Sequence, residues 1–114
     1  MKPVTQAGDW LADPGRFHGE WQGGAHGANV CVIVNEIETI GAGPRLHRHP
    51  YPETFVVRRG RGLFVVGEER IEAGPGDILV VPADTPHRFE NLGPGTLATI
   101  DIHENGAFVT EWLE

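Results

Sequence analysis

His47, His49, Glu53 and His87 are the residues of this 114-residue sequence whose types and spacing can do chemistry. His47 and His49 are one residue apart, so on a β-strand both side chains leave the same face. Two imidazoles on one face can each offer a nitrogen to a single ion at about 2.0–2.1 Å. Glu53 keeps the same parity, as do Phe55 and Val57, which predicts a carboxylate and apolar side chains on that inward face. Pro50 and Pro52 interrupt the parity, because neither can donate a ladder hydrogen bond. They predict a bend that lets Glu53 curl back towards the ion. A lone His-x-His pair is common on exposed strands; followed by Glu and framed by glycine turns, it is far more specific. His87 follows Thr85-Pro86 at the start of another strand-like run. Alone it reads as an ordinary structural or surface histidine, and its weight comes from pairing with the first block.

Around this group stand residues with two readings each. Tyr51 shares the ligands' parity and is either a candidate acid or base or rim packing in a proline-flanked loop. Arg45, two residues before His47, either points inward to hold an anionic substrate or is a surface arginine. Phe89 and Asn91 share the parity of His87; Phe89 reads as barrel lining that can meet substrate, Asn91 as a turn held by hydrogen bonds. Thr99, Asp101 and His103 alternate with Ala98, Ile100 and Ile102, which puts a polar set on one face. That face is either solvated or lines a pocket: Asp101 is expected in solvent, and His103 is a second candidate acid or base. His18 and His26 read as exposed histidines without a role. The chain has no serine, which excludes a serine hydrolase. Its single cysteine, Cys31, sits in the apolar run VCVIV, where a buried thiol packs as a small hydrophobe.

These residues must be positioned by short strands. Glycine (16) and proline (9) are spread as punctuation between β-rich runs rather than gathered into one tract. The runs are Asn29–Ile40, Thr54–Val57, Leu63–Val66, Arg70–Glu72, Asp77–Val81, His87–Glu90, Thr96–His103 and Phe108–Leu113, with turn signals such as GAGP, RRGRG, AGPG and NLGPG between them. Many short strands without helical periodicity predict an antiparallel sandwich or barrel. Residues 28–114 are expected to form one barrel. Residues 1–27, with Trp10, Trp21 and the stretch GGAHG, are expected to form an N-terminal arm that packs on the barrel or a partner, with one helical turn near Gly8–Ala12.

The two blocks, Gly41–Gly60 and Gly76–Asn91, resemble the paired motifs of the cupin superfamily, in its small single-domain form. The first motif, G-x5-H-x-H-x3-E-x6-G, is matched by Gly41, His47, His49, Glu53 and Gly60. The second, G-x5-P-x-G-x2-H-x3-N, is matched by Gly76, Pro82, His87 and Asn91, with Asp84 in place of its middle glycine. Asp tolerates positive φ better than most residues, so the turn is expected to survive. The resemblance implies an all-β, jelly-roll barrel. It also implies one divalent metal (Fe, Mn, Zn, Ni or Cu) held by His47, His49, Glu53 and His87, with coordination positions left open for water and ligand.

Two functions follow from that implication. One is a small metalloenzyme acting on a polar metabolite, either a dioxygenase-like oxidoreductase or a metal-assisted isomerase or cyclase. The other is a non-catalytic module in which the metal anchors a sugar or carboxylate. The formal charge of −7, from 16 acidic and 9 basic residues, disfavours nucleic acid as a partner. No stretch approaches the roughly 18 apolar residues of a membrane span. The N-terminal residues lack a secretory pattern, and with one cysteine this predicts a cytoplasmic protein. A short barrel has little area to bury, which predicts a homodimer.

Overall fold

Turn-forming residues divide the described residues into ten short antiparallel strands, and the pairing of those strands sets where each inward side chain lands. The structure, a computed structural model, describes residues 3–13 and 15–114. One sheet has the order β1-β2-β9-β4-β7, built from Gly19–Gln22, Cys31–Ile37, Leu97–His103, Glu53–Arg59 and Ile78–Val81. The other has the order β10-β3-β8-β5-β6, built from Glu111–Trp112, His47–Arg48, His87–Asn91, Gly62–Val66 and Glu69–Ala73. Every pair is antiparallel, as expected of a jelly roll. Among the described residues no helix is long and apolar enough to cross a membrane.

The period-2 pattern of each strand sorts its side chains by environment. On β4, Glu53, Phe55 and Val57 are buried and alternate with partly exposed residues; on β8, His87, Phe89 and Asn91 do the same. The apolar members gather with Phe64, Ala73, Leu79, Val81 and Leu97 into the core. Phe64 and Phe89 stack with centroids 5.1 Å apart, and Phe55 meets Phe89 at 5.4 Å. Burial of a phenylalanine contributes about 1.5–3 kcal/mol, so these three rings are a large share of what holds the sheets together. On two of the strands the inward series runs from polar to apolar, from Glu53 to Val57 on β4 and from His103 to Leu97 on β9. The barrel therefore has one packed end and one polar end.

The first 27 residues carry the helical turn α1 (Ala7–Trp10), the strand β1 and a 3-10 turn over Gly23–His26. β1 hydrogen-bonds along β2, from Gly19 opposite Val34 to Gln22 opposite Cys31. The Trp21 indole donates to Thr5 Oγ1 at 3.0 Å, and Arg16 donates to the carbonyl of Glu36 at 2.9 Å. The run expected over Phe108–Leu113 is a strand only at Glu111–Trp112. The backbone of Val109 bonds to side chains instead of to a ladder, for the reason given below.

Two turns show what the motif residues supply. Asp84 adopts a φ of 60°, so it fills the glycine position without changing the turn. Asn91 is fully buried; its amide donates to the carbonyls of Ile37 at 3.0 Å and Gly95 at 2.9 Å, and its Oδ1 accepts from Gly93 N at 2.8 Å. It holds a turn, as its sequence position implies. Gly60 combines a φ of 81° with a close approach, since a Cβ there would collide with the Thr96 carbonyl. Gly60→Ala should lower the unfolding free energy by about 1–3 kcal/mol in urea denaturation. Gly8→Ala, where a Cβ meets only open space, should leave it within about 0.5 kcal/mol.

Candidate metal centre

The polar end of the barrel draws one histidine pair from one sheet and a carboxylate from the other. His47 on β3 stands directly opposite His87 on β8, and their rings lie 4.3 Å apart. Glu53 opens β4 opposite His103 on β9. His49 lies in the link between β3 and β4, where Pro50 and Pro52 break the ladder. One donor atom from each of His47, His49, Glu53 and His87 lies within 4.8 Å of all the others, and all four residues are buried. That group can hold one metal ion.

Hydrogen bonds at the far side of each ring settle which nitrogen faces the centre. The Nδ1 atoms of His47, His49 and His87 lie 2.6, 2.9 and 2.8 Å from the carbonyl oxygens of Arg45, Val109 and Thr85. A carbonyl only accepts, so each Nδ1 carries a proton, which leaves Nε2 as the nitrogen that each ring turns towards the centre. Burial pulls His47 down to about 4 against the contrary pull of the Arg45 carbonyl, and nearby His87 and His49 add to the fall. It is neutral at physiological pH. His49 Nε2 and His87 Nε2 lie 3.2 and 3.1 Å from Glu53 Oε1. His49 Nε2 is buried and has no aligned hydrogen-bond partner. Imidazole nitrogens and a carboxylate oxygen gathered round one buried point are a donor set that fits a bound metal. Burial pushes the Glu53 carboxyl up, but the imidazoles of His103, His49 and His87 together hold it well below the usual carboxylate range.

His103 occupies the other side of Glu53. Its Nε2 lies 3.1 Å from Oε2 in an off-axis contact, and its Nδ1 is 2.7 Å from the Tyr51 hydroxyl. The Val109 N–H donates to that hydroxyl at 3.4 Å. One residue of an irregular segment thus orients both His49, through its carbonyl, and Tyr51, through its amide. Burial pushes the Tyr51 phenol up to about 12, against the Val109 hydrogen bond.

The centre opens into a cavity of about 450 Å³, lined among others by Asn35, Phe55, Phe89, Asp101, His103 and Trp112. Phe89 therefore faces the cavity as well as the core. The Arg45 side chain is exposed and lies over the Trp112 ring, 5.0 Å from its centroid, and Trp112 in turn packs 5.0 Å from the His47 ring. Asp101 corrects the expectation of a solvated residue, for it is only 3% exposed. The reason is that β9 lies in the middle of its sheet, between β2 and β4, and turns its polar face into the cavity. The alternation of β9 was the available signal; the roles of the Val109 backbone had none.

Comparison with known proteins agrees with this geometry. The family model described as Cupin domain matches residues 36–103, more than half of the chain. An uncharacterized protein of Methanocaldococcus jannaschii is 34% identical over 62 residues, which are 54% of this chain and 50% of that protein. Oxalate decarboxylase from Bacillus subtilis, at pH 4.6, has a TM-score of 0.74 at 21% identity over 83% of this chain. The formate complex of Lactobacillus farciminis oxalate decarboxylase has a TM-score of 0.79 at 19% identity over 95% of this chain. The chain spans half of that relative and 27% and 35% of the two decarboxylase chains, which share its fold.

Replacing His47 and His87 together by alanine should abolish stoichiometric metal binding in plasma emission analysis, whereas Arg45→Ala should leave it intact. Metal retained at one per chain by the double variant would show that the ion sits elsewhere. In the unaltered protein, a metal at a hundredfold excess over its Kd should raise the unfolding free energy by about 2.7 kcal/mol. The geometry of two facing motifs, the jelly-roll sheets and the matched domain lead to one assignment: this chain belongs to the cupin family.

Proposed function

We propose that the protein is a small metalloenzyme that acts on a polar metabolite bound to the metal through an oxygen atom, with His103 and Tyr51 as its acid–base pair. The observation that supports this reading is the contact series Val109 N–H, Tyr51 hydroxyl, His103, Glu53, standing beside the ligands. A module that only binds needs shape and hydrogen-bond donors; it does not need a histidine suspended between a phenol and a carboxylate. When bound, the metal supplies Lewis acidity towards a carbonyl or a ligated water, or oxygen activation if it is iron. Among the candidate metals, manganese is supported by the Mn(II) centers of the B. subtilis oxalate decarboxylase. A divalent ion against the single carboxylate Glu53 leaves a net positive centre in a buried space, which favours an anionic oxygen donor.

In this reading His103 lines the cavity and exchanges a proton with the substrate. Its Nδ1 accepts from the Tyr51 hydroxyl, which stays a phenol and keeps the ring in place. Phe89 and Phe55 wall the cavity and exclude water. Arg45 acts on the mouth through Trp112, holding that ring against His47. A cytoplasmic homodimer belongs to the same proposal on its sequence grounds, one cysteine and a short barrel.

The first experiment is metal analysis of untagged protein, followed by oxygen uptake and product analysis with candidate metabolites. One metal per chain and metabolite turnover are expected. Tyr51→Phe and His103→Gln should keep the metal and lower kcat about a hundredfold. Undiminished turnover in both variants would refute the acid–base assignment. Stoichiometric metal with ligand binding and no turnover would identify a binding module.

A further inference from the structure

Deeper in the same cavity lies a polar group that metal binding does not use. Asp101 is buried, and its Oδ1 has no hydrogen-bond partner. Its Oδ2 accepts from Asn35 Nδ2 at 2.9 Å, and the same amide nitrogen reaches Thr99 Oγ1 at 3.2 Å. Asp101 and Asn35 both line the cavity, between the apolar walls of Ile33, Ile37 and Phe55. Buried carboxyl oxygens are nearly always paired, so an unpaired one on a residue that lines a cavity points to a partner that arrives from outside. We propose that Asp101, held by Asn35, is a ligand-binding residue that takes a hydroxyl group of a small hydroxy acid whose carboxylate lies at the metal.

This rests on the reading of the metal centre above and names the ligand class for it. The strand register fixes the spacing. His103 stands opposite Glu53 and Asp101 opposite Phe55, so Asp101 lies two residues further along β9, about 7 Å from the level of the metal ligands. A ligand that touches both ends therefore carries its hydroxyl several bonds from its carboxylate. Burial first, and the charge of Glu53 second, push the Asp101 carboxyl well up. An unpaired carboxyl oxygen accepts the hydrogen of a hydroxyl group. The walls between the two polar ends are apolar, matching the methylene chain of such a ligand.

The test uses manganese-loaded full-length protein and two probes, butyrate and 4-hydroxybutyrate, in isothermal titration calorimetry. The wild type should bind 4-hydroxybutyrate at least tenfold more tightly than butyrate. Asp101→Leu should erase that preference while changing butyrate affinity less than threefold and leaving one manganese per chain. Asp101→Asn, which keeps the shape and is the safeguard should the leucine variant not fold, should keep the metal and retain part of the preference. Equal affinities in the wild type, no binding of either probe, or an undiminished preference in a folded Asp101→Leu protein would overturn the proposal. Failure of the wild type to hold stoichiometric manganese, measured first, would instead overturn the metal-centre reading and this proposal with it.

Discussion

Three imidazoles and one carboxylate are packed into a buried space, with one donor atom of each within 4.8 Å of all the others. Apolar packing cannot satisfy such a group, and desolvated polar atoms without partners are expensive. The cost is contained by tying each Nδ1–H to a backbone carbonyl, from Arg45, Val109 and Thr85. These carbonyls belong to three separate segments, so the turns and the irregular stretch before β10 are shaped by what the rings require. The core of phenylalanines at the other end supplies the rigidity that keeps the rings from relaxing apart.

The division of the barrel into a packed end and a polar end comes from an ordinary property of strands. With a period of two, one face of a strand can change character along its length without disturbing the other face. β9 does this most fully, presenting Leu97, Thr99, Asp101 and His103 inward in that order. Antiparallel pairing then aligns the polar ends of β4, β8 and β9 at one rim. The cavity, the four-residue donor group and the contact of Tyr51 with His103 are three readings of one gradient.

Much of this was legible in the residues. His-x-His, Glu53 and His87 announced a metal group, and glycine and proline punctuation announced short strands. Asn91 as a turn-holder and Asp84 at positive φ followed from side-chain chemistry. The position of Asp101 was not legible, because alternation gives two faces and does not say which is inward. That needs the sheet order, in which β9 is flanked on both sides. Arg45 had two open directions in sequence, and its place over Trp112 depends on a strand whose residues pair with partners 63 and 65 positions away. The strand over Phe108–Leu113 was read too long, since propensity cannot register that His49 and Tyr51 take the Val109 backbone for themselves.

Val109 has a consequence for how the protein is made. Its carbonyl orients His49, a residue 60 positions earlier. A ribosome delivers all four ligands before it delivers the group that turns one of them to face the others. The nascent chain therefore emerges with a metal-binding set whose aim is incomplete. Long-range closures of this kind are slow compared with local folding, and this one needs a segment close to the last residues of the sequence. The aim of His49 is thereby tied to the stretch before β10, so a partly synthesised chain lacks the carbonyl that turns this ring to the other three residues.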